Sequence, residues 1–218
     1  MKRIIALCGL LAAVLLTGCA KKENFDYTAF RQHQPKSILV LLPQNDSPEV
    51  NASHGMLSQV TNPLSEAGYY VFPVATVEEV FKQNGVVNSG DIQSTSAVKL
   101  REIFGADSAL YITVKDYGTS YQVIASDTRV TAEAKLVDLA TGTLLWSGSA
   151  TASSNEQNSG SGSLIGILVQ AAVSQIVHTL SDKSFAVAGV TSVRLLGAGK
   201  PDGILYGPRS PKYGKDAE

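Results

Sequence analysis

Thiols are the first thing this sequence lacks. Its two cysteines, Cys8 and Cys19, both stand near the amino terminus of a 218-residue chain, and everything after them is cysteine-free. The body of the chain therefore holds no internal disulfide, no thiolate metal site and no cysteine nucleophile. Stability there has to come from a packed core. Metal-ligand spacing is missing too: His33, His54 and His178 are scattered, with no His-x-x-x-His pair among them, so neither a metal nor a cofactor is expected. No repeat of fixed period is visible. Apolar runs are short, and a helix across a bilayer needs about 20 residues. Ile4 to Leu16 falls below that length, and Leu164 to Leu180 carries a polar stripe of Gln170, Ser174 and His178. That stripe fits a helix laid on a sheet with its outer edge wet. A membrane span is the alternative.

What is present begins with Met1-Lys2-Arg3, the Ile4 to Leu16 run, and then Leu16-Thr17-Gly18-Cys19. A basic start, a short greasy core and small residues before a cut site make a secretory signal peptide. The ending resembles the lipobox of bacterial lipoproteins. There the cysteine thiol receives a diacylglycerol, the peptide is cut just before it, and the new amine is often acylated as well. An ordinary secreted protein with a chance cysteine is the competing reading. On the lipobox reading residues 1–18 are removed, Cys19 carries the lipid, and residues 19–35 form a polar tether to the membrane. Ala20 is not the aspartate that retains many enterobacterial lipoproteins in the inner membrane, which points to the outer membrane, facing the periplasm or the cell surface.

Removing residues 1–18 from the 218 leaves 200, a comfortable size for one domain. Two of the 18 Lys and Arg leave with that segment, so 16 face 19 Asp and Glu and the net charge is −3. This mild acidic balance speaks against nucleic acid, or an anionic lipid surface, as the main partner.

Along the chain, Ser37 to Leu42 is a continuous apolar run closed by Pro43, the pattern of a strand covered on both faces. A helix follows with Met56, Leu57, Val60, Leu64 and Ala67 on one side, ended by Gly68, with Pro63 able to kink or split it. Tyr69 to Phe72 reads as a strand and Val77 to Gln83 as a short helix. Ser94 to Ser96 offers caps to another helix, whose apolar positions are Val98, Leu100, Ile103 and Phe104 and whose end is Gly105. Ala109 to Val114 is a strand leading into Tyr121 to Ile124. Val130, Ala132, Ala134 and Leu136 alternate with polar residues, marking a strand with one wet face. The turn Asp138 to Thr143 returns it to Leu144 to Thr151 as a hairpin. Ser153 to Ser163 is a Ser/Gly/Asn linker. The expected fold is α/β, an α+β sandwich with helices on a mixed sheet and no disulfides. The globular part is expected over residues 36–183. Residues 184–218 are expected as an extended strap that packs on the domain or docks a partner.

Specific stretches carry a family resemblance. Asp26-Tyr-Thr-Ala-Phe-Arg31, Pro35 to Val40, Glu66 to Val71 and Leu100 to Asp107 belong to it, as do Tyr111 to Lys115, Tyr117 to Gln122 and Leu205 to Tyr213. Together they resemble a family of bacterial lipoproteins of unknown function typified by a neisserial surface-lipoprotein vaccine candidate. The resemblance implies a domain similar to the amino-terminal domain of the Tol-system translocation protein and to the periplasmic domain of the curli-secretion lipoprotein. It also implies an envelope complex with a curli-secretion-like lipoprotein as partner. It carries no catalytic residues.

Two surfaces stand out as candidate sites. Ligands in open α/β sheets favour the carboxyl ends of strands, and the loop after the first strand carries Asn45, Asp46, Ser47 and Glu49 there. A His–Asp–Ser grouping with His54 can be written down, but no nucleophile elbow precedes it, and a solvated loop capping a helix is the plainer reading. Gly160 to Gly166 misses the dinucleotide spacing and has no Walker lysine. Trp146 fits a core position. In the tail, Tyr206, Arg209 and Tyr213 stand among glycines and prolines, and tyrosine and arginine are enriched at binding hot spots. The leading expectation is a non-enzymatic docking or assembly component of an envelope complex. The alternative is a lipid-anchored receptor for a small polar ligand at the Asn45 to Glu49 loop.

Overall fold

The computed structural model describes residues 25–121, 126–156 and 183–216. Cys19, the Gly160 to Gly166 loop and the Leu164 to Leu180 run with His178 lie outside them.

Ser37–Val40 (β1) has Ile38, Leu39 and Val40 all buried, as a strand covered on both faces must. Pro43 has no amide to give a ladder. The chain leaves the strand before it and rejoins the sheet as Gln44–Asn45 (β2). Gln93 bridges the break: its Nε2 donates to the carbonyls of Leu42 and Ile112 at 2.9 Å each. With Tyr70–Val71 (β3), Ser108–Tyr121 (β4), Ser126–Asp138 (β5) and Leu144–Ser153 (β6), the sheet runs β3-β1-β4-β5-β6, and β2 pairs with β4. β1 is parallel to β3 and β4, while β4, β5 and β6 are antiparallel, so the sheet is mixed. Val130, Ala132, Ala134 and Leu136 of β5 are buried and Arg129, Glu133 and Lys135 are exposed, the expected single wet face. Trp146 on β6 is a core residue, 1% exposed.

Ala52–Glu66 (α2) buries Met56, Leu57, Val60 and Leu64, and it continues through Pro63 without a break. Pro63 lacks the amide that would bond the Gln59 carbonyl. The Ser192 hydroxyl from a later helix donates to that carbonyl instead, at 2.9 Å. Val74–Gln83 (α3), Ser89–Ser94 (α4) and Ala97–Phe104 (α5) fill the crossover from β3 to β4; α4 has no counterpart in the sequence reading. Ser96 caps α5 by accepting from the Lys99 amide, and Gly105 closes it at φ 68°. The apolar face of α5 is narrower than its residues suggest. Leu100 is buried and Phe104 meets Phe81 with ring centroids 5.7 Å apart, but Val98 and Ile103 are 61% and 45% exposed. At about 100° per residue Val98 falls nearly opposite Leu100, so one short helix cannot bury both.

Two boundaries differ from expectation. Thr28–His33 (α1) and residues 25–27 before it pack on the domain, where a tether through residue 35 is expected. Phe30 is buried, Phe25 and Tyr27 pack edge to face at 5.1 Å, and Tyr27 donates its hydroxyl proton to the Gly203 carbonyl at 2.5 Å. Aromatic residues win over the surrounding charges because they have a hydrophobic surface to meet. Likewise, Lys183–Leu196 (α6) is helix where an extended strap is expected to begin. It buries Ser184, Val187, Ala188, Thr191, Ser192, Leu195 and Leu196, a three-four spacing of mostly small residues that lets it lie close against α2 and β5. Thr191 donates its hydroxyl to the carbonyl of Val130 or Val187.

The extended strap starts only after α6. Ile204 and Leu205 are 1% and 8% exposed. The amides of Gly207 and Arg209 donate to the carbonyls of Ala67 and Gly68 at 2.8 and 3.0 Å, and the Tyr69 hydroxyl donates to the Leu205 carbonyl at 2.6 Å. Gly68 has φ 99°, and a Cβ there would stand 2.4 Å from the Ser210 amide nitrogen. The strap can approach this closely only because the position is glycine.

Candidate functional site

Register divides the molecule into two ends. Ser37 pairs with Tyr70, Ile38 with Ser108 and Ser108 with Asp138, a row across one end of the sheet. At the other, β1 and β2 accompany β4 only as far as Val114. Beyond that point Asp116 to Tyr121 pairs with β5 alone, after a register shift at Lys115. A hairpin arm thus outruns β1 and β2, while β6 follows β5 as far as Ser153 opposite Arg129.

A cleft of about 480 Å³ lies where this arm leaves the sheet, between the loop after β2 and the hairpin. Pro48 and Glu49 form one wall, and Asp116 to Ser120 with Asp127 and Arg129 form the other. Tyr117 is 2% exposed and lies over Gly55 of α2, which closes the cleft at its base. On the arm, Asp127 takes hydrogen bonds from the Ser153 hydroxyl and from Arg129, the latter at 3.1 Å. The Ser153 hydroxyl, against the effect of burial and with Arg129 assisting, holds the Asp127 carboxyl below its usual range. The single guanidinium of the cleft is thereby engaged, and Glu49, Asp116 and Asp127 leave an acidic balance. An anionic ligand is disfavoured there; a basic or donor-rich surface fits.

The four loop residues are spread over different tasks. Asn45 holds the turn: its Nδ2 donates to the Glu49 carbonyl at 2.8 Å, and its Oδ1 accepts from the Ser47 amide and hydroxyl. Asp46 pairs with Lys115 at 2.8 Å, and that partner holds the amine above its ordinary range. Only Glu49 reaches the cleft. His54 pairs with Glu78 at 3.2 Å, and neither Ser47 nor Asp46 joins it. A His–Asp–Ser constellation is therefore not assembled. The cleft is open and largely polar, whereas small-molecule sites are enclosed and mostly apolar.

At the opposite end, the tail candidates lie on the domain. Arg209 stands 5.2 Å over the Tyr70 ring. The Tyr206 amide donates to Asp216 at 2.7 Å and its ring carries Lys212 at 5.6 Å, while Tyr213 is 44% exposed. The loop and the tail are not brought together. Sequence reasoning missed the hairpin wall of the cleft; its one visible signal was charge on strand residues, Asp116, Asp127 and Arg129, beside a stretch of Thr and Ser.

A mixed sheet with helices, a long hairpin and an aromatic amino-terminal segment built into the domain define an α+β domain. The chain belongs to the family described as Putative lipoprotein GNA1162-like, which matches residues 25–209. It is 50% identical over 203 residues to the Putative lipoprotein NMB1124/NMB1162 of Neisseria meningitidis serogroup B, covering 92% of this chain and 94% of that one. Among solved structures it is similar to the crystal structure of lipoprotein GNA1162 from Neisseria meningitidis, at 56% identity and a TM-score of 0.55. That match covers 66% of this chain and all of the other.

Proposed function

We propose that this protein is a lipoprotein held at the outer membrane by a diacylglycerol on Cys19, acting as a non-enzymatic docking component of an envelope complex. The observation that carries the docking reading is the hairpin arm. It extends past β1 and β2 at the end of the sheet opposite Phe25, and on the anchor reading it offers a surface to a partner away from the membrane. The acidic cleft beside it suits a partner that offers lysine, arginine or amide donors. The family resemblance makes a curli-secretion-like lipoprotein the partner to examine first. The small-ligand alternative has less support, because Asn45, Asp46 and Ser47 are occupied with their own turn and with Lys115.

A photo-crosslinking residue in living cells tests this reading. Placed at Ser120 on the arm, it should trap one discrete envelope protein, and placed at exposed Lys99 on α5 it should not. Glu49→Lys with Asp116→Lys should abolish the adduct while leaving the melting temperature within about 2 °C, since exposed charges contribute little to stability. Identical adduct patterns from Ser120 and Lys99 would overturn the docking role.

A further inference from the structure

The described chain begins at Phe25, six residues after Cys19. Six residues span roughly 20 Å at full extension. Whatever path residues 19–24 take, a lipid on Cys19 holds Phe25 within that distance of the bilayer; this step rests on the anchor reading above. Phe25 is fixed at the strap end of the domain. Its amide donates to Asp202 at 3.0 Å, and Tyr27 reaches the Gly203 carbonyl. The tail folds back to the same place, since the Tyr206 amide meets Asp216 and Lys212 stands over the Tyr206 ring. Burial pushes the Tyr27 hydroxyl up to about 12, and the nearby Asp202 and Asp216 carboxylates add to the effect.

Charge is distributed unevenly along the chain. Residues 19–31 and 199–218 hold seven Lys and Arg against five Asp and Glu, while residues 32–198 hold nine against fourteen. The two terminal stretches are thus +2 and the rest of the chain −5. Arg209, Lys212 and Lys215 are exposed, with Tyr213 44% exposed among them.

We propose that this end, formed by Arg209 to Lys215 beside Phe25, rests on the anionic phospholipid leaflet that holds the Cys19 lipid. Lys212 and Lys215 meet headgroup phosphates and Tyr213 sits at the interface, where amphipathic rings are favoured. The lipid supplies the attachment; the basic end sets the orientation. Each cation near an anionic leaflet favours the seated state about fivefold. Seating this end directs the hairpin arm away from the membrane, with the fourteen residues of β4 separating the two ends by roughly 45 Å.

The cysteine-free body gives a direct test. With the Cys19 thiol consumed by lipid, Pro211→Cys or Lys135→Cys provides a unique site for a fluorophore, at the strap end and on the wet sheet face respectively. The lipidated chain is reconstituted into vesicles of phosphatidylcholine alone or with phosphatidylglycerol, and quenching by aqueous acrylamide is read. The label at position 211 should be at least about twofold less quenched in the phosphatidylglycerol vesicles, and high salt or Lys212→Glu with Lys215→Glu should remove the difference. The label at position 135 should be quenched equally in both. Equal quenching at position 211 in floated vesicles would overturn the membrane-facing end while leaving the anchor standing. A chain that does not float with the vesicles contradicts the anchor itself, and the seated end falls with it.

Discussion

Lys200 shows how one residue records the packing around it. It follows Gly199 in the turn between α6 and the strap, and loss of water lowers its amine from 10.5 to about 8. Below pH 8 both folded and unfolded chains carry the proton, and the cost of the half-buried charge is present in full. Between pH 8 and 10 the unfolded chain keeps a proton that the folded chain has released, so stability rises with pH. Tyr27 opposes the climb only at the upper edge of that window, where the unfolded hydroxyl begins to ionise while the folded one, raised to about 12, keeps its proton. Thermal melts of the wild type should therefore climb from pH 8 to 10. Lys200→Met should melt higher at pH 7 and lose that climb; parallel profiles would refute the desolvation account. At this scale the sequence was only partly legible. Asn45 and Glu49 could be placed at a strand's carboxyl end because Pro43 ends an apolar run. That Asn45 turns inward to hold the loop, and that Lys115 claims Asp46 from 69 residues away, required the sheet register.

The strap is the element whose role the structure changes most. Its extended part, not its helical part, threads between α1, Trp146 and the end of α2: the Trp146 indole donates to the Asp202 carbonyl at 3.0 Å, and Gly207 and Arg209 bond the α2 terminus. Truncation after Gly203 removes buried Ile204 and Leu205, worth about 1.5–3 kcal/mol each. At roughly 2–4 °C per kcal/mol the melting temperature should fall on the order of 10 °C. A fall of less than about 2 °C would mean that the strap is an appendage. Elements with a simple period were legible: β5 from its alternation, the β5–β6 hairpin from its Asp138 to Thr143 turn, and α5 from its serine cap and terminal glycine. α6 was not read as one helix because its buried stripe is made of Ser, Ala and Thr as much as Leu and Val, which gives little hydrophobic contrast with its outer face. The spacing 184, 187, 188, 191, 192, 195, 196 is the signal that could have found it. The α1 segment was missed for the converse reason: Phe25, Tyr27 and Phe30 sit among charged residues that suggest a solvated tether.

For the whole molecule, the proposed order of the parts is a signal segment and a lipid site, followed by an aromatic entry into the domain and a sheet whose longest described strands extend away from that entry. Exposed Arg209, Lys212 and Lys215 stand at the strap end and the cleft beside the hairpin is acidic, so the proposed attachment and docking surfaces lie at opposite poles. Both proposals depend on lipid at Cys19. The most direct measurement is metabolic labelling with radiolabelled palmitate in cells producing either the wild type or Cys19→Ser, followed by membrane fractionation. Label should enter the wild type, in the outer-membrane fraction, and be absent from the mutant, which should remain unprocessed or soluble. Equal labelling of the two chains would contradict the account.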